Sequence, residues 1–259
     1  MYQTVFEDLA SNGYIVVSIG HQDESAMLIK EDGSVTENTS NNEFYTRRLS
    51  ELNGREINNA QDIILNSNNE EEVTKAYKKL IELTPLHTRS IQLWQSDTNE
   101  VIEILLRLNK ENVQLKNAFN FDRIGIFGHS VGGATAGQLA GNNQSIKAAI
   151  NIDGFQFGNL INTNLKAPFM FISSNEEGDR YLRVTPFAFN SEQDTYHLVV
   201  TGFSHDSFSD LQLFSPNGSN NIKLQRIIIL TFFNKYLKDQ KQNLMELENN
   251  FSNIKISKY

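Results

Sequence analysis

FDRIGIFGHSVGGATAGQLAG, residues 121–141, reads as a strand, a sharp turn and a helix, and the rest of the chain is organised around it. Within residues 123–127, Ile124 and Ile126 alternate with Gly125 and Phe127, a short apolar run that suits a buried strand. After Ser130 the period changes. Val131, Thr135, Gln138 and Leu139 follow helical spacing, Gly and Ala fill the positions where a helix lies close to a sheet, and Gly141-Asn142 is a C-terminal stop. The centre, Gly128-His129-Ser130-Val131-Gly132, has the G-x-S-x-G form of a nucleophile elbow. A serine on such a strained turn points its Oγ outward only where the neighbouring backbone carries no Cβ, which is the expected reason for both flanking glycines. The N–H of Val131, first on the helix, then faces the place where a tetrahedral oxyanion would form, with the positive end of the helix dipole behind it. The five-letter pattern arises by chance in roughly one chain of this length in ten. A glycine turn that merely carries a serine is the plain alternative, and the strand before it and the helix after it argue against that.

At 259 residues and 29.5 kDa, a folded surface of roughly 11,500 Å² is expected against about 43,000 Å² for the extended chain. One α/β domain over residues 1–259 is the expected organisation. The formal net charge is -8 and the pI near 5.2, which argues against nucleic acid as a partner and offers no basic patch to an anionic membrane. There is no cysteine, so disulfides, thiolate zinc sites and a cysteine nucleophile are excluded. No apolar run reaches the length of a membrane span. The first residues, MYQTVFEDLASNGYIVV, place Glu7 and Asp8 before the apolar stretch with no basic leader, so they read as the middle of a domain rather than as a secretory signal.

Residues 2–11 predict an amphipathic helix carrying Val5, Phe6 and Leu9, closed by Asn12-Gly13. Residues 14–19 predict a buried strand, and MLIKEDGSVTE a hairpin turning at Asp32-Gly33. From 36 to 69 the composition is polar with isolated apolar residues, which predicts short surface helices and mobile loops; residues 36–84 are read as a helical insertion or lid that could cover a site. Residues 71–83 form a helix that Pro85 ends, and a longer helix follows whose face of Trp94, Thr98, Val101, Ile102, Leu105 and Leu108 can pack on the sheet. Buried parallel strands are expected at 146–152 and 168–173, a short helix at 182–189 and a last strand at 196–201. The apolar IIILTFF run could be a strand by periodicity, but its flanks extend the pattern over residues 221–239 and favour a buried helix. Residues 241–259 are read as a C-terminal tail.

A serine hydroxyl needs a histidine to take its proton, and that histidine needs a carboxylate to fix its tautomer. Of the five histidines, His129 lies inside the elbow with its side chain expected to turn away from Ser130. His197 lies within a strand, and His87 ahead of the long helix. His21 follows a strand end but precedes the serine, against the serine, acid, histidine order of proteins with this elbow. His205 fits best, in the loop VVTGFSHDSFSDL after the last strand. Two acids compete, Asp153 after the strand that follows the elbow and the Glu176, Glu177, Asp179 group after the next. The latter reads as a solvated turn. Asp153 ends the apolar INIDGF segment, where an unpaired carboxylate is costly, and this tilts the choice to it.

The segments LASNGYIVVSIGHQDESA, IGIFGHSVGGAT, INIDGFQF and GFSHDSFSD resemble those of the plasma-type platelet-activating factor acetylhydrolases and their bacterial relatives, a likeness spanning about residues 5–235. The resemblance implies an α/β-hydrolase fold, a mostly parallel sheet with helices on both faces. It implies a calcium-independent serine esterase acting on short or oxidised acyl chains of phospholipids or related esters, with Ser130, Asp153 and His205 as triad and Val131 N–H as oxyanion donor. A small-molecule ester or phospholipid partner is implied, and no cofactor or metal.

In that family a strand and a His-Gly loop precede the helix that begins here near residue 2, and the loop supplies the second oxyanion N–H. The resemblance therefore implies that this chain, read as N-terminally truncated, is part of a longer protein. The strand lying between those at 14–19 and 123–127 would then be absent, which leaves the two paired directly or separated by a strand-wide gap. The rival readings are a non-catalytic hydrolase-fold remnant that binds rather than turns over, and a peptidase on the same fold.

Overall fold

Elements follow the order α1 (Gln3–Ser11), β1 (Met27–Ile29), β2 (Val35–Glu37), α2 (Glu43–Ser50), α3 (Arg55–Asn66), α4 (Glu70–Leu83), α5 (Pro85–Glu111), β3 (Ile124–His129) and α6 (Val131–Asn142), as the alternation of apolar periods predicts for an α/β chain. They continue with β4 (Ile146–Ile152), β5 (Phe169–Asn175), α7 (Thr185–Ala188), β6 (Thr195–Thr201), α8 (Gly218–Leu237), α9 (Glu246–Asn250) and β7 (Ile254–Lys258). This computed structural model describes residues 2–21, 24–25, 27–37, 43–175 and 183–259. The Glu176, Glu177, Asp179 group, residue 182 of the expected 182–189 helix and residues 38–42 of the expected insertion lie outside the described residues.

The main sheet has the order β3-β4-β5-β6-β7, parallel from β3 to β6 and antiparallel at β7. Strand alternation sorts its side chains onto two faces. Ile150 and Ile152 of β4, Met170 and Ile172 of β5, and Leu198 and Val200 of β6 meet Val5 and Leu9 of α1 and Ile228, Ile229, Phe232 and Phe233 of α8. On the other face, Ala149, Phe169 and Phe171 meet Ala134, Leu139 and Ala140 of α6, then Ile57, Ile64, Val73, Tyr77 and Leu80 of α3 and α4. Apolar residues that look isolated in the sequence between 36 and 69 thus complete a core, since Ile57 and Ile64 share one side of α3 and are buried. The IIILTFF run is helical, inside α8.

Local signals act as expected at most boundaries. Asn69 caps α4 by accepting from the N–H groups of Glu71 and Glu72 at 2.9 and 3.4 Å. Pro85 ends α4 and also opens α5, where its missing N–H costs nothing. The β1–β2 hairpin turns through Gly33 at φ +80°, with Met27 paired to Glu37.

Two expectations fail. Residues 14–19 are not a strand and are not buried throughout: Ile15 is 59% and Val17 45% exposed. Residues 15–20 make no backbone–backbone hydrogen bond among the described residues. A strand needs a neighbour for its ladder, and among the described residues β3 pairs on one edge only, with β4. Between that free edge and residues 14–19 lies a cavity of about 710 Å³, so of the two expected outcomes the segments are separated rather than paired. Trp94, Thr98, Val101, Ile102 and Leu105 of α5 line this space, and Ile102 also packs against the α6-side core. The open slot and the surface helices accompany a surface of 14,030 Å², larger than the roughly 11,500 Å² expected for this mass.

The second failure is at the other end. The segment read as a tail contains β7, whose Ile256 pairs with Leu198 and whose Ile254 and Ile256 are buried in the α8-side core.

Candidate active site

Four consecutive strands each deliver one polar residue at their carboxyl ends: Ser130 just beyond β3, Asp153 just beyond β4, Ser174 within the last turn of β5, and His205 in the turn after β6. Carboxyl ends of parallel strands are where open α/β sheets hold ligands.

Ser130 sits at φ 56°, ψ -121°, a region that non-glycine residues avoid, between β3 and the first turn of α6. Its own N–H donates to the Ile152 carbonyl at 2.9 Å, which ties the elbow to the end of β4. The tightness of the turn falls unequally on its glycines. A Cβ at Gly128 would lie 2.3 Å from the carbonyl carbon of Gly132, whereas a Cβ at Gly132 would meet only Trp94, at 3.7 Å. The steric explanation therefore holds for Gly128 and fails for Gly132. Among the described residues no acceptor is recorded for the Val131 N–H and no partner for Ser130 Oγ.

Asp153 also has positive φ, 50°, and its side chain is largely buried. Its Oδ2 lies 2.7 Å from His205 Nδ1. Ser174 donates its N–H to Oδ1 at 2.6 Å and its hydroxyl to Oδ2 at 2.9 Å. Burial pushes the Asp153 carboxyl upward, but these bonds from His205 and Ser174 outweigh it and hold the group below the usual carboxylate range. The hydrogen bond with Asp153 conversely raises His205 above an ordinary histidine, against partial desolvation. Of the three residues expected to act together, His205 and Asp153 are thus in contact, while no hydrogen bond joins Ser130 to His205.

The remaining histidines are occupied otherwise. His21 Nδ1 pairs with Asp97 Oδ2 at 2.7 Å and its ring stacks on Trp94 at 4.0 Å, which docks the 14–21 segment on α5. His87 Nδ1 meets Glu51 Oε2 at 3.0 Å, and His197 Nε2 meets Ser173 Oγ at 2.9 Å inside the sheet. His129 makes a contact that its place in the elbow does not announce. Its ring turns away from solvent and lies against the His205 ring, with centroids 4.2 Å apart, and burial holds it neutral with a pKa near 4. Sequence reasoning passed over Ser174 altogether; its position at the end of a strand adjacent to that of Asp153 was the available signal.

A serine on a strained strand-to-helix turn, at the carboxyl edge of a mostly parallel sheet clad on both faces, defines a protein of the α/β-hydrolase fold. The chain belongs to the family described as "Platelet-activating factor acetylhydrolase, isoform II", whose profile matches residues 1–227. It is 25% identical over 270 residues to platelet-activating factor acetylhydrolase of Cavia porcellus, covering 95% of this chain and 57% of that protein. With the Bos taurus enzyme of the same name it shares 25% identity over 261 residues, or 93% and 55% of the two chains. The chain thus spans about half the length of the curated relatives it matches. A ferulic acid esterase from Streptomyces cinnamoneus superposes with a TM-score of 0.65 at 19% identity, over 94% of this chain and 65% of that one, which establishes the shared fold.

Proposed function

We propose that this chain is a serine carboxylic ester hydrolase of the platelet-activating factor acetylhydrolase type, cleaving short acyl esters, including those of phospholipids. The single observation that carries this reading is the 2.7 Å contact of His205 Nδ1 with Asp153 Oδ2 on the same sheet edge as Ser130, which occupies the strained apex of the elbow. With Nδ1 engaged by the acid, Nε2 of His205 is the nitrogen left to serve the serine.

Ser130 Oγ attacks the ester carbonyl as its proton passes to His205. The charge that develops on the carbonyl oxygen is met by the Val131 N–H at the N-terminus of α6. Collapse of the tetrahedral intermediate expels the alcohol, which takes the proton from His205, and leaves an acyl group on Ser130. Water, deprotonated by His205, then releases the acid and restores the serine. Asp153 holds the imidazole in the required tautomer throughout.

One observation favours the non-catalytic reading as the second choice: Ser130 Oγ has no hydrogen bond to His205. A fluorophosphonate probe and p-nitrophenyl acetate separate the two. Labelling of Ser130 together with steady turnover is expected; labelling without turnover would leave a binding protein on a hydrolase scaffold.

A further inference from the structure

His129 has no role in the ester chemistry proposed above, yet its Nε2 is fully enclosed and has no hydrogen-bond partner among the described residues. A buried nitrogen without a partner demands an explanation, and an ion is one of the few available. Its surroundings supply one. One donor atom from each of His129, Asp153 and His205 falls within 4.8 Å of the others, and among the described residues no other group of three or more histidine and acidic side chains approaches so closely.

We propose that His129, His205 and Asp153 form a binding site for a divalent transition-metal ion, with Zn²⁺ favoured by the donor set, and that its occupancy silences Ser130. Two imidazoles and one carboxylate with a fourth position open to water is a zinc-type set, whereas calcium and magnesium select oxygen donors. Zinc bonds of about 2.0–2.2 Å place tetrahedral ligands roughly 3.3–3.5 Å apart. Reaching that spacing from donors that lie within 4.8 Å of one another asks for movements of about an ångström, the wider pairs closing and the 2.7 Å His205–Asp153 pair opening.

The elements make such movements feasible. His129 ends β3 and Asp153 follows β4, so two donors are fixed by paired strands. The third, His205, lies in a short turn with its side chain 49% exposed, which supplies both the adjustable ligand and the entry path. For His205 Nδ1 to coordinate, its proton moves to Nε2 of the same ring, so the neutral imidazole binds the ion with no net proton release. No redox change is involved. The silencing half rests on the reading of His205 as the base for Ser130; the binding half does not.

The test uses the full chain freed of metal. Zn²⁺ titrated against a chromophoric chelator should load one ion per chain, and Co²⁺ should give the intense visible bands of a four-coordinate site. His129→Ala should weaken binding at least about tenfold, a change worth about 1.4 kcal/mol. His129→Phe keeps an aromatic ring against His205 while removing the nitrogen and serves if the alanine variant does not fold; melting curves decide which is used. Ester hydrolysis by the unsubstituted chain should fall along the same Zn²⁺ titration and return with a chelator. Unchanged zinc affinity in either folded variant, or no stoichiometric binding, overturns the site. Binding without loss of turnover overturns the silencing. If the metal-free chain hydrolyses no ester at all, the reaction proposed above fails, while the chelator and cobalt titrations still decide the site.

Discussion

Ser174 holds the carboxylate of Asp153 twice, through its backbone N–H to Oδ1 at 2.6 Å and its hydroxyl to Oδ2 at 2.9 Å. The two bonds leave His205 as the third donor to the same group, and together they keep a largely buried carboxyl ionised. An acid fixed in this way cannot swing with the loop that bears it, so the imidazole has a rigid reference.

Ser174→Ala removes one of these bonds from a buried charge, and a loss of about 1.5–3 kcal/mol of stability is expected. Because the Asp153 carboxyl is lowered in the folded state, its contribution is present above the unfolded carboxylate value, near 3.9, and is lost as pH falls through the folded one. Denaturant melts should therefore separate the two proteins at neutral pH and bring them together in strong acid. A difference that persists below the folded value would assign the loss to packing instead.

Asp153→Asn is expected to lower kcat by several orders of magnitude, about 10⁴ by analogy with serine proteases, because the imidazole is then left in the wrong tautomer. Asp179→Asn is expected to change kcat little. Steady-state hydrolysis of p-nitrophenyl acetate by both variants ranks the two acids, and the reverse ranking would place the orienting acid after β5.

His205 must be neutral to accept the serine proton, and its hydrogen bond to Asp153 raises its pKa. The acid limb of kcat/KM should accordingly have its midpoint above the ordinary histidine value of about 6.5. A pH–rate profile with its midpoint below that value would remove His205 as the base.

Gly128 and Gly132 should part company under mutation. Gly128→Ala drives a methyl to 2.3 Å from backbone and should prevent folding or cost several kcal/mol, since backbone cannot yield as a side chain can. Gly132→Ala meets the Trp94 ring at an ordinary 3.7 Å, and alanine is the better helix former by about 1 kcal/mol, so its melting temperature should match or exceed that of the parent. Thermal melts of the two variants give the answer directly.

What the sequence reveals and conceals has a physical pattern here. The elbow, β4, β5 and α8 are legible because each is buried and its apolar period is local. Residues 14–19 have the composition of a strand, but a strand exists only with a partner, and no local pattern reports that β3 has one edge unpaired among the described residues. β7 was concealed for the opposite reason. The alternation in Ile254-Lys255-Ile256-Ser257-Lys258 was present, yet five residues near a chain end carry little signal until β6 is there to pair with. At the site, Ser130 and His205 follow from motif and order. Asp153 stands out by the cost of burying an unpaired carboxylate, a cost that the bonds from Ser174 offset. The contact of His129 with His205 joins residues far apart in the chain, and no spacing rule could have found it.

Ser130 and Asp153 are two of only four non-glycine positive-φ residues among those described, and both belong to the site. Backbone held in such regions costs on the order of 1–3 kcal/mol per residue. At Ser130 the angles are ones that glycine adopts freely, so the simplest stabilising substitution at that codon also deletes the proposed nucleophile. Random drift filtered only for a soluble, well-folded product would therefore be drawn toward silence at this position. A serine that persists there under prolonged drift is a readout of selection for turnover, obtainable from a mutational library sorted on folding alone and then on hydrolysis.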